Sequence, residues 1–276
     1  MEEEQKYHPQ GINPLTQQAG DEPLAGGVAD QMLAVSSAVD ERAGSQDTVA
    51  LDEEQVKDEI DIQVDLLSDP DWVVRREAVI TLGEMGDERC VEPLARALRD
   101  GDWQVREVAI EAMGQVGSPA VETLLKLLRD WEVRKYAIAA LGKIRDERVL
   151  DPLMLQLRND EFKDDAIDAL VVLGEPSVER LIGALRDKDE NVRKCAVLAL
   201  GRIKSGEAID PLIGMLGDKD WFTRLTAAAA LESIGDERGR EAMKPLLKDS
   251  DMVVKMRVER ILAKWKKQPI SQSANA

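Results

Sequence analysis

The chain has 276 residues and a formal charge of −17, from 54 acidic against 37 basic residues; 43% of it is hydrophobic and 3% aromatic. This supports an aliphatic core of domain size and argues against a nucleic-acid backbone as the main ligand, since phosphate binding draws on clustered Lys and Arg. No apolar stretch reaches the roughly 18 to 20 residues of a membrane helix, the start MEEEQKYHPQ is acidic where a secretory signal is basic and then apolar, and Cys90 and Cys195 are too few for a disulfide framework or zinc cluster, so the expected compartment is the cytoplasm.

Residues 1–50 hold nine acids and two bases and are rich in Gly, Pro, Gln and Ser, as in HPQGINPLTQQAGDEPLAGG. Such a segment buries too little surface to offset its ordering entropy, and a disordered acidic tail is expected. Within it, VADQMLAVSSAVDE (28–41) places Val28, Met32, Leu33, Val35 and Val39 on one stripe of a short helix, which reads either as transient structure or as a docking motif.

From residue 53 the chain repeats itself. Basic anchors stand at Arg75, Arg106, Arg134, Lys163, Arg193, Arg224 and Lys255, separated by 31, 28, 29, 30, 31 and 31 residues, a period in the range of solenoids. Three, seven and ten residues after each anchor come a small or branched apolar residue, then Leu or Met, then another large apolar residue (Ala78, Leu82 and Met85 in the first unit). These offsets share one helical face, so each unit contains an amphipathic helix. A shorter apolar run precedes each helix, as in VEPLARALRD and IDPLIGMLGD, with Pro93, Pro152, Pro211 and Pro245 near its start. Each unit is a helical hairpin. Gly83, Gly114, Gly142 and Gly201, eight after their anchors, predict close helix approach.

Asp71, Asp102, Asp130, Asn159, Asp189, Asp220 and Asp251 stand four residues before the anchors. Ligands for one metal must converge, and these are spread one per repeat, so they read as helix caps, with the anchors pairing to an Asp of the same or an adjacent unit.

The unit D-W-x-V-R-x-x-A-x-x-A-L-G-x-I-G-D, as in 102–124 and 189–216, resembles the HEAT-like repeat of the phycobilisome-lyase type over residues 53–266. The resemblance implies an all-α, right-handed α-solenoid of about seven HEAT-like hairpins, followed by a disordered C-terminal tail at 267–276. The seventh unit, with Glu259 and Trp265 on its late face, reads as a cap. Members of the family include bilin lyase subunits, phycobilisome-degradation adaptors, di-iron deoxyhypusine hydroxylases and solenoids that only bind proteins. The di-iron branch needs paired His-Glu motifs, and the one histidine is His8. No phosphate-binding glycine loop, nucleophile elbow or Cys with a structured His occurs, so no catalytic residue, metal site or cofactor is expected.

Two surfaces remain as candidates. Two and five residues after the anchors runs a ridge containing Ile80, Val108, Tyr136, Ala139, Cys195 and Leu198, interrupted by Asp164, Asp165 and Asp168 and ending in Arg257, Arg260 and Lys264. It reads as plain solvent face or as the concave recognition surface of a solenoid. Three before the anchors stand Trp72, Trp103, Trp131 and Trp221, an aromatic edge that serves an interface or covers the end of a preceding helix. The expected function is a non-enzymatic protein-binding adaptor or scaffold; the alternative is a lyase-like or chaperone subunit handling a cofactor-bearing protein, such as one carrying a tetrapyrrole. The expected partner is another protein or a peptide.

Overall fold

The computed structural model describes residues 57–265. These residues form fourteen α-helices and no strand: α1 (Glu59–Leu66), α2 (Trp72–Met85), α3 (Val91–Ala97), α4 (Trp103–Val116), α5 (Val121–Leu127), α6 (Arg134–Leu141), α7 (Leu150–Gln156), α8 (Lys163–Leu173), α9 (Val178–Ala184), α10 (Glu190–Ile203), α11 (Ile209–Met215), α12 (Trp221–Ile234), α13 (Glu237–Met243) and α14 (Met252–Trp265). They pair as seven hairpins, in the last of which α14 packs on the 3-10 stretch Lys244–Lys248 that continues α13, and in every pair the even-numbered helix is the second and the longer. Successive even-numbered helices pack side by side, as do α3 with α5, α7 with α9 and α11 with α13. The architecture is an α-solenoid.

The core follows the periodicity. Ala109, Met113 and Val116 of α4, Ala137 and Leu141 of α6, and Ala166, Leu170 and Leu173 of α8 are all buried, facing Leu94, Leu124 and Leu153 of the first helices. The aliphatic stripe therefore runs unbroken from hairpin to hairpin, which is how a repeat too small to bury its own apolar face becomes stable. Glycine sets the spacing. A Cβ on Gly83 would lie 2.6 Å from Cβ of Ala112, and one on Gly201 the same distance from Cβ of Ala230. At these turns α2 meets α4, and α10 meets α12, almost backbone to backbone.

Aspartates start the second helices. The side chains of Asp71, Asp102 and Asp189 accept from the N–H two residues on, and that of Asp220 from Thr223 N–H, satisfying otherwise free donors. Asp130 and Asn159 accept in the same way from Glu132 and Glu161, but the following stretch is turn rather than helix. As a result α6 and α8 begin late, at their anchors.

A second row of aspartates ties the hairpins together. Arg75 donates to both carboxylate oxygens of Asp100 (2.7 and 2.8 Å), Arg224 does the same to Asp249 (2.9 and 2.7 Å), and Arg193 donates to Asp218 (3.1 Å). Each acceptor lies 25 residues beyond its arginine and also accepts from the backbone N–H of the capping Asp two residues on. The anchors thus pair across to the next unit through a residue other than the cap. These ion pairs are largely buried, so the carboxylates cannot be removed without stranding a charge.

The ladder changes in the middle. Asp130 is turned to Arg99, and Asn159 stands where Arg134 would find an acid. Arg106 lies instead over the ring of Tyr136 (5.5 Å to the centroid), and Arg134 over that of Phe162 (4.9 Å). Two cation–π contacts replace two rungs where the linkers shorten, which accounts for the repeat separations of 28 and 29.

Candidate protein-binding surface

The ridge is only partly a surface. Leu198 is 40% exposed on α10. Ile80, Val108 and Ala139 are half-buried, and Tyr136 is held between the guanidinium of Arg106 and the Lys135 ammonium, 4.9 Å from its centroid. Cys195 belongs to the core: it is 4% exposed, and burial pushes its thiol up. The physical reason is that this position of α10 faces the start of α8, where Lys163 and Asp164 are its neighbours. Thr226, the matching residue on α12, is buried as well and donates to the carbonyl oxygens of Phe222 and Thr223.

The basic end also differs from the expectation of free cations. Arg257 and Lys264 both donate to Glu232 of α12 (2.9 and 3.1 Å), leaving Arg260 as the member that forms no ion pair among the described residues. Glu232 occupies the position held by glycine in four other repeats, and its side chain bridges α12 to α14. In the acidic centre Asp168 accepts from Arg202 (2.5 Å), while burial, followed by the nearby Asp168, raises Asp165 above the usual carboxylate range.

Sequence offsets of two and five overlooked Val172, which is 62% exposed. It stands nine after its anchor, an offset that falls between two and five on a helical wheel, so the signal was present. Val172 lines a cavity of about 330 Å³ with Glu111, Gly142, Lys143, Arg145 and Leu173.

The aromatic edge divides. Trp72 is half-buried against the core, whereas Trp103 and Trp131 are 61% and 64% exposed. The Trp131 indole N–H donates to both carboxylate oxygens of Glu161 (3.0 and 3.1 Å), which orients the ring without covering its faces. Trp221 meets Phe222 edge to face, with centroids 5.6 Å apart, and both are partly exposed. Met252, Val253 and Met256 of α14 are exposed too, so the last hairpin presents apolar side chains where a polar cap was expected.

Among the described residues there is no cluster of three His, Cys, Asp or Glu side chains able to hold a metal ion, and no helix long and apolar enough to cross a membrane. His8, the 1–50 tail with its 28–41 stripe, and the 267–276 tail lie outside the described residues.

Similar solved structures include human deoxyhypusine hydroxylase in complex with glycerol (21% identity, 76% of this chain and 85% of that one, TM-score 0.38). The complex of CpcE and CpcF of phycocyanin lyase from Nostoc is 20% identical over 80% of this chain and 99% of that one, with a TM-score of 0.36. A designed armadillo repeat protein in complex with the peptide (KR)4 is 21% identical over 75% and 99%, with a TM-score of 0.31. No curated protein matches the chain. The family model for HEAT repeats matches residues 60–130, 91–174, 155–219 and 178–263, together spanning nearly all of the described helices. With its seven stacked hairpins and this match, the chain belongs to the family of HEAT-repeat proteins.

Proposed function

We propose that this solenoid is a non-enzymatic scaffold or adaptor that binds another protein or a peptide through its aromatic edge and the adjoining row of second helices. The observation that carries the reading is the exposure of Trp103 and Trp131 at the same position of successive repeats. Large exposed aromatic side chains are the usual anchors of interfaces, and a solenoid repeats such a position at regular intervals. The two cysteines, both buried and unbonded, fit a reducing compartment, in keeping with a cytoplasmic location. The finer affiliation with repeats of the phycobilisome-lyase type rests on the D-W-x-V-R unit, and the scaffold reading stands without it.

The test is an affinity capture from native extract with the full chain, wild type beside a Trp103→Ala, Trp131→Ala double variant whose helicity is checked by circular dichroism. A stoichiometric partner held by the wild type and lost by the variant supports the reading. Retention of that partner by the variant, or its absence from both, overturns it.

A further inference from the structure

The interrupted ladder leaves a cavity. Between the loops that precede α6 and α8 lies a space of about 620 Å³ whose wall includes Arg129, Arg134, Arg158, Asn159, Leu128 and Leu155. Three arginines line it, in a chain whose overall charge is −17. Asp160, also in the wall, is neutralised by Lys163 at 2.9 Å.

The arginines differ in what they hold. Arg158 donates to Asp187 of the next hairpin. Arg134 donates Nε to the carbonyl of Leu128 (2.5 Å) and stacks on Phe162, and among the described residues neither it nor Arg129 forms an ion pair. In the regular rungs the residue 25 positions after the anchor is Asp100, Asp218 or Asp249; after Arg134 it is Asn159, whose side-chain oxygen caps Glu161 N–H (3.1 Å). The site therefore keeps the cation of a rung and lacks its anion. Leu155 is largely exposed and, with Leu128, lines an apolar side of the same cavity.

We propose that this cavity binds an oxyanion, a phosphate or carboxylate group carried on a small body, which takes the place of the missing rung carboxylate against Arg134 and Arg129. Guanidinium groups match both anions in geometry, and a planar fork with unspent N–H donors binds them in pairs. The proposal concerns a small-ligand site and is independent of the protein-binding reading.

The experiment is a thermal-unfolding titration of the full chain with sodium phosphate and, separately, sodium butyrate, at constant pH and ionic strength against chloride. The wild type is compared with Asn159→Asp, which supplies the rung's own carboxylate, and with Arg129→Gln. Expected is a saturable rise of Tm in the wild type, no rise in Asn159→Asp, and a midpoint weakened at least about ten-fold in Arg129→Gln. A rise with phosphate alone assigns a phosphoryl ligand, and one with butyrate alone a carboxylate on an aliphatic body; either supports the site. No rise with either salt, or the same rise in Asn159→Asp as in the wild type, overturns it. Circular dichroism of both variants establishes that they fold, and if Arg129→Gln does not, the comparison of wild type with Asn159→Asp decides alone.

Discussion

Arg224 and Asp249 meet in two parallel hydrogen bonds of 2.9 and 2.7 Å, joining the start of α12 to the loop that opens α14, and both side chains are almost buried. The arginine also donates to the carbonyls of Asp218 and Lys219 (2.9 and 3.3 Å), so one guanidinium fastens the linkers on both sides of its hairpin. Asp249→Asn would leave that charge buried without its counter-ion. The expected loss is about 3 kcal/mol, measured by urea unfolding, whereas Asp210→Asn, which removes an exposed pair to Arg238, should change stability by less than about 1 kcal/mol.

Acid should act through the same rungs. The guanidinium of Arg75 holds Asp100 below the usual carboxylate range, and that of Arg224 does so for Asp249. With folded values depressed, their contribution is present above about pH 4, where the unfolded carboxylates are ionised, and is lost as pH falls through the folded values. Stability of the wild type should therefore fall on acidification below about pH 4, and more shallowly in Asp249→Asn. Asp165 carries the opposite sign, being raised by burial and by Asp168. Asp165→Asn is expected to stabilise the protein at pH 7 and to lose that advantage at pH 3; equal effects at both pH values would contradict this.

Gly83 and Gly201 offer a test in which the sign is informative. Replacing an exposed helical glycine by alanine gains about 1 kcal/mol. Here the new methyl would sit 2.6 Å from an alanine Cβ of the next helix, and overpacking of this kind costs about 1–3 kcal/mol. Both Gly→Ala variants should be destabilised by about 1 kcal/mol, measured by thermal or urea unfolding; a stabilised variant would mean that the helices move apart freely.

Tyr136 connects the ladder to the ridge. Tyr136→Phe keeps a ring beneath Arg106 and should lie within about 0.5 kcal/mol of the wild type, while Tyr136→Ala removes both the contact and its buried area and should cost about 2 kcal/mol or more in chemical unfolding.

On the row of second helices, Val172→Glu with Leu198→Glu alters two exposed side chains and should leave Tm nearly unchanged. If the row contributes to partner binding, this variant loses a captured partner in the same assay as the tryptophan pair. A partner kept by the row variant and lost by the tryptophan variant would confine binding to the edge.

The period of the anchors, the apolar offsets of three, seven and ten, and the capping aspartates were sufficient by themselves to determine seven helical hairpins in a solenoid. Each is a local property: helical periodicity sorts side chains onto faces, and a cap bonds to N–H groups two or three residues away. What the tertiary structure decided is everything that depends on the distance between neighbouring helices. It placed Cys195 in the core, because that position of α10 faces the start of α8, a contact a helical wheel cannot express, and it turned Arg257 and Lys264 onto Glu232, because α14 packs beside α12 and brings both cations within reach of one carboxylate. It also chose Asp100, Asp218 and Asp249 rather than the capping residues as partners of the anchors, since an arginine reaches across to the next linker and pairing across repeats depends on which groups the stack brings together in space.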